Sequence, residues 1–198
     1  MKVRILLATM AIVGCGVAMA QENRFSAGLE LASPMGDFAD AAGFGFGVSL
    51  GYEIPVGDNL GVFANAGYIM FGGESVDLGP FGKFEYKTSA IPIQVGAKYY
   101  FSENQAGFYA GLMVGLHMMT TTADVEFFGI STSTSTSDAN LSYAPALGYV
   151  VGENIDLQLR YQLISATVET VTPTGGTDSE TVTNSYLGLR AAYMFGSR

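Results

Sequence analysis

The chain has 198 residues and a formal net charge of −9, with 9 Lys and Arg against 18 Asp and Glu. That balance argues against a nucleic-acid partner, which requires basic patches. Charged residues make up only 14% of the chain, against about 25% in soluble globular proteins, yet no apolar run after residue 20 reaches the roughly 18–20 residues of a spanning helix.

Residues 1–20 read as an export signal rather than as part of a fold. Lys2 and Arg4 supply a positive start, Ile5 to Val13 an apolar core, and Ala18-Met-Ala20 a small-x-small cleavage site before Gln21. A competing processing signal, Ile12-Val-Gly-Cys15, resembles a lipobox and would leave Cys15 lipidated. Cleavage after Ala20 leaves one domain, 21–198, without cysteine. Its net charge is −11, from 7 basic and 18 acidic residues.

Eight strand-like segments follow, at Arg24–Ala32, Phe44–Glu53, Leu60–Phe71, Phe84–Phe101, Gly107–Met119, Asn140–Val151, Ile155–Glu169 and Val182–Phe195. Side chains alternate across a strand, so a period of two marks a ribbon with two different faces. In the first, Phe25, Ala27, Leu29 and Leu31 oppose Ser26, Gly28 and Glu30; in the second, Phe44, Phe46, Val48, Leu50 and Tyr52 oppose Gly45, Gly47, Ser49 and Gly51. The fourth sets Ile93, Val95, Ala97, Tyr99 and Phe101 against Gln94, Gly96, Lys98 and Tyr100. The seventh has the cleanest alternation: Ile155, Leu157, Leu159, Tyr161 and Leu163 interleave with Asp156, Gln158, Arg160 and Gln162. In the eighth, Leu187, Leu189, Ala191, Tyr193 and Phe195 oppose Gly188, Arg190 and Ala192. The third and fifth are less regular, because Phe63, Ile69, Met113 and Met119 fall on the small or polar face.

The connectors alternate in length. Ile54–Asn59, Ser102–Gln105 and Gly152–Asn154 are short and carry turn residues. The others run to about ten or twenty residues, and one contains the Ser131–Ser137 run, read as a flexible loop. Short turns alternating with long loops describe an up-and-down membrane barrel with eight antiparallel strands. A soluble barrel would turn its apolar face inward. Here the minor face is Gly, Ala and Ser with a few charges, which suits a narrow closed interior. Aromatics near the strand ends (Tyr52, Tyr99, Phe101, Tyr149, Tyr193, Phe195) suit interface girdles.

The chain resembles the small eight-stranded outer-membrane barrels, the group of outer membrane protein X and the transmembrane domain of outer membrane protein A. Ala90-Ile-Pro-Ile-Gln-Val-Gly-Ala-Lys-Tyr-Tyr-Phe101 resembles the fourth strand of the outer-membrane β-barrel domain common in Bacteroidetes. The resemblance implies an all-β transmembrane barrel in the Gram-negative outer membrane, contacting membrane lipids and lipopolysaccharide. It also implies insertion by the barrel-assembly machinery, through a terminal signal matched here by Tyr193-Met-Phe195 and followed by Gly196-Ser-Arg198. A monomer is expected.

Counting residues up from the periplasmic ends puts Glu30, Arg190 and Arg160 at similar heights on neighbouring strands. The expected lumen cluster is Glu30, Arg160 and Arg190, with Lys98, Asp156 and Gln158 nearby. Paired charges are tolerated in such an interior and lone ones are costly. The first reading is an ion-pair plug; the other is a gate of the kind the outer membrane protein A group implies. His117, the only histidine, points inward near the outer end of the fifth strand and reads as a hydrogen-bonding group at the rim, with no Ser–His–acid set around it. No metal site or cofactor is expected, since one His and no Cys would remain. In the outer loops, Thr167–Thr172 and Ser179–Thr183 flank Pro173–Thr177 and read as a protruding hairpin whose edge could pair with a foreign strand. Asp37, Asp40, Glu74, Asp77, Asp124 and Glu126 could recruit divalent cations but lack EF-hand spacing. The expected function is non-enzymatic, stabilising the envelope or presenting loops to a surface partner. A narrow porin-like channel for ions or small apolar solutes is the alternative, and a lipid-modifying enzyme the third reading.

Overall fold

The computed structural model describes residues 23–77, 82–127, 130–171 and 177–195. Residues 1–20, with Cys15, lie outside them, as do the hairpin tip 172–176 and residues 196–198. The elements are β1 (Arg24–Met35), α1 (Asp37–Ala41), β2 (Gly45–Pro55), β3 (Leu60–Asp77), β4 (Gly82–Tyr100), β5 (Gly107–Phe127), β6 (Ile130–Val151), β7 (Ile155–Val171) and β8 (Thr177–Phe195). Each strand pairs antiparallel with the next and β8 closes on β1, in one closed barrel. Closure leaves no free edge in the spanning part, where an unpaired backbone group has no water to satisfy it.

The alternation read from the sequence has its apolar face outward. Leu29, Leu50, Val95, Leu112, Leu147 and Leu159 are exposed on the barrel wall, while Glu30, Ser49, Gln94, Ser142, Gln158 and Arg160 are buried inside. The exposed apolar band runs along β4 from Tyr99 to Ile91 and along β6 from Val151 to Leu141. About ten residues of tilted strand is the length that crosses a bilayer. Pairs of rings mark its lower border, including Phe108–Tyr149 at 4.5 Å and Tyr193–Phe195 at 4.9 Å. The turns on this side are stapled by side chains: Asn59 Nδ2 donates to the Tyr100 carbonyl and Asn154 Nδ2 to that of Met194, both at 3.0 Å.

Prolines interrupt two ladders without shifting register. Pro145, lacking an N–H, sits where the β6–β7 pairing breaks between Tyr143↔Leu163 and Ala146↔Arg160. Pro92 does the same between Ala66↔Ile93 and Ile69↔Ala90.

The expected long loops are the main correction. β3 runs on to Asp77, β5 to Phe127, and β6 starts at Ile130, so the Ser131–Ser137 run read as a loop is strand, with Glu126↔Ser131 and Thr120↔Ser137 in register. Hydroxyl pairs such as Thr120–Ser137 at 2.8 Å and Thr122–Ser135 at 3.0 Å line this ribbon; β-branched Thr favours the pleated conformation even in water. β7 and β8 extend as a hairpin from Val171↔Thr177 downward, as the segments Thr167–Thr172 and Ser179–Thr183 predict. The segment after β1 contains a helix, α1, absent from the sequence reading, which turns Phe38 into the barrel mouth.

Candidate functional site

The interior is a stack of layers. At the short-turn end Tyr100 and Tyr109 pack with Val150 and Met194. Lys98 lies above them, its Nζ 2.8 Å from Glu53 Oε2 and 2.9 Å from Asp156 Oδ2. The tyrosine hydroxyls donate to the same acids, Tyr100 to Glu53 at 2.6 Å and Tyr109 to Asp156 at 2.7 Å. Lys98 also stands over the Tyr109 ring, 4.7 Å from its centroid. Higher up, Glu30 faces both guanidinium groups: Arg160 Nη2 at 3.0 Å and Arg190 Nε at 3.5 Å. Arg190 links the two clusters, since its Nη1 lies 3.3 Å from Asp156 Oδ2 while its Nε and Nη2 donate to Ser49 and Ser26.

Register explains these meetings. Glu30 is directly opposite Arg190 across β1–β8, and Gln158 is opposite Arg190 across β7–β8. Gly188 opposes Arg160, and a Cβ built there would press on the guanidinium stem. Gly148 plays the same part for Tyr109, whose ring occupies the space a Cβ would need. Glu30, Glu53 and Asp156 against Lys98, Arg160 and Arg190 give a network with no net charge, nearly all of it buried. Each ion lost water on burial, and that cost is offset only by multiple partners of this kind.

Of the six residues read as a lumen cluster, Glu30, Arg160 and Arg190 meet at one level. Lys98 and Asp156 meet at another, and Gln158 donates to the Tyr109 hydroxyl at 3.1 Å. The sequence reading left out Glu53, Tyr109 and Tyr186, and put Tyr100 on the inward face without a partner. Parity was the available signal: Glu53 continues Gly45, Gly47, Ser49 and Gly51, and Tyr100 follows Lys98 by two.

His117 is corrected in both position and company. It is fully buried, with Nδ1 2.8 Å from Ser142 Oγ and Nε2 3.0 Å from the Tyr186 hydroxyl. The serine comes from β6, two residues past Asn140, and not from the Ser131–Ser137 run. Gln94 Nε2 joins the layer at 3.3 Å from Ser142 Oγ and 3.2 Å from Gln162 Oε1. Above it Ile69, Phe71, Ile164 and Tyr186 pack with Phe38 of α1. The apolar residues that broke the alternation thus have a place: Phe63 and Met113 fill a middle layer, Ile69 an upper one, and Met119 packs against the latter. Among the described residues no group of three or more His, Cys, Asp and Glu could hold a metal.

Tyr193 and Phe195 lie on the outward face of β8 at the short-turn end, with Phe195 opposite Phe25 in the β1–β8 ladder.

A family model described as the outer membrane protein beta-barrel domain matches residues 5–195. Among solved structures, the chain is similar to a major outer membrane protein from Thermus thermophilus (TM-score 0.55, 15% identity, covering 88% of this chain and 100% of that one). It is also similar to Ail, the attachment invasion locus protein of Yersinia pestis (0.53, 16%, 89% and 100%). A third similarity is to the N-terminal β-barrel domain of Pseudomonas aeruginosa OprF (0.50, 14%, 88% and 100%). At these identities the likeness concerns the fold. No curated protein sequence matches. The chain belongs to the outer membrane protein β-barrel domain family and resides in the Gram-negative outer membrane.

Proposed function

We propose that this protein is a non-catalytic, non-conducting barrel whose role lies outside the bilayer, in the β-ribbons it presents to the cell exterior. The observation that carries this reading is the filled lumen. The ion-paired side chains are buried against one another, a cavity beside them lined by Ser26, Glu53, Asn65, Lys98 and Arg190 holds about 20 Å³, room for about one water, and a buried apolar layer lies across the outer end. What extends instead is the outer sheet, where β3 to β6 continue well past the apolar band.

The chemistry of that outer sheet narrows the partner. Segments 36–43, 72–89, 120–140 and 166–184 carry eleven carboxylates against two lysines, Lys83 and Lys87. A structure of Ail is known in complex with a heparin analogue. For this chain a sulfated polymer is disfavoured by like-charge repulsion, and a neutral or cationic surface, or a divalent-cation bridge to lipopolysaccharide, is favoured. In the same reading residues 1–20 are the export signal, Tyr193 and Phe195 are the strand-end signal for the barrel-assembly machinery, and the barrel is monomeric. His117 is structural, since it lies beneath the apolar layer with no carboxylate among its hydrogen-bond partners.

The test is removal of the ribbon. A chain in which residues 120–137 are replaced by an Asn-Gly turn is expected to reach the outer membrane as a heat-modifiable barrel, with cells attaching less well to a cationic coat than cells carrying the full chain. Equal attachment by both would overturn the reading.

A further inference from the structure

Above the apolar layer that closes the lumen, the outer end of the barrel holds a cup of about 1020 Å³. That is the size of cavity that receives a small organic ligand. Phe38 and Met119 supply an apolar surface, while Thr88, Thr121, Asn140 and Asn184 supply hydroxyl and amide groups. Asp37 and Asp138 are the charged side chains on its lining, and none of the described lining residues is basic.

The cup is not closed on all sides. β6 and β7 pair from Val151↔Ile155 up to Leu141↔Ser165, and no described pair joins them above that point. From there β6 stays with β5 and β7 with β8, so the wall divides into two ribbons. Leu141, Ser165 and Ala166 at this division all line the cup. Leu141 also faces outward, 57% exposed, at the upper border of the apolar band. The same cavity therefore touches hydroxyl-lined space inside the mouth and the lipid-facing wall outside it. Downward passage is blocked by Ile69, Phe71, Ile164 and Tyr186.

We propose that this cup binds a small amphipathic molecule with an uncharged or cationic polar head, which passes between cup and bilayer through the division between β6 and β7. An apolar body would rest on Phe38 and Met119 and leave past Leu141, while the head is held by the Thr and Asn side chains. An anionic head, such as a lipid phosphate, would meet two carboxylates and no lining cation, and is excluded on charge. The inference does not require the outer ribbons to bind a partner.

Probes with one fluorophore and three charges test it: dansylcadaverine (amine), dansylamide (neutral) and dansylglycine (carboxylate), titrated against the full chain in phosphatidylcholine vesicles. The amine and amide are expected to give a saturable rise in fluorescence above the linear partition seen with empty vesicles, and dansylglycine to give none. Asp138→Asn should weaken dansylcadaverine about two- to fivefold, the range of one exposed charge pair, and leave dansylamide unchanged. Ala166→Trp should abolish the saturable component, as should Thr121→Trp from another wall, with folding of each verified by heat-modifiable migration. Lipid carrying a nitroxide high on its acyl chain should quench the bound probe. Linear partition alone, saturation that survives both folded Trp variants, or equal binding of dansylglycine would overturn the site. A bound probe that the nitroxide lipid leaves unquenched would overturn the lateral route.

Discussion

Glu30 serves two guanidinium groups at once, and its removal leaves Arg160 without a carboxylate while Arg190 keeps only Asp156. Glu30→Ala is expected to cost about 3–5 kcal/mol, because Arg160 and Arg190 stay buried with their shared partner gone. The paired change Glu30→Leu with Arg160→Met should recover much of that loss, since an apolar pair of similar volume carries no desolvation cost. Urea unfolding of vesicle-embedded protein measures both; a single variant as stable as the parent would mean the pair is not formed. Gly148→Val should cost about 1–3 kcal/mol by pushing the Tyr109 ring off Asp156, while Gly57→Val, at an exposed turn with no atom near its Cβ but a φ of 77°, is destabilised by backbone strain alone and leaves the lumen network intact. At this scale legibility depended on residue chemistry. Glu30, Arg160 and Arg190 stand out as charges among small residues on neighbouring strands. Tyr100, Tyr109 and Tyr186 do not, because tyrosine suits a lipid-facing girdle and a buried hydroxyl equally well. His117 was read without Ser142 because a single serine inside an apolar strand looks like ordinary minor-face filler.

A strand here has two parts with different solvents, and substitutions should divide accordingly. Leu159→Arg, on the lipid face of β7, is expected to destabilise by about 2–4 kcal/mol. Thr134→Arg on the β5–β6 ribbon should stay within about 0.5 kcal/mol. The same unfolding measurement decides, and equal costs at the two sites would remove the assigned membrane border. The spanning parts were legible because lipid enforces a strict period of two. The β5–β6 ribbon was not, because its polar Ser and Thr alternate with one another and give no face contrast; only β-branching and cross-strand hydroxyl pairs mark it as strand, whereas the Val-bearing ends of β7 and β8 read as a hairpin. Helix α1 was missed for a similar reason: five residues are too few for a helical period, and Phe38 alone carries the inward signal.

For the whole molecule, compartment and architecture followed from composition and rhythm, while the plugged interior required register that parity alone does not supply. Eight strands leave a lumen narrow enough for side chains to fill. Here they fill it with two ion clusters, a histidine layer and apolar layers below, between and above. The central claim is that this column is shut, so that any role is exercised at the outer face. Single-channel recording of the full chain in planar bilayers tests it most directly. A baseline without unitary steps is predicted, for the parent and for Thr134→Arg alike. Regular ohmic steps from the folded parent, altered in size by Lys98→Ala or Arg190→Ala, would contradict the account and make the ion clusters a conduction path.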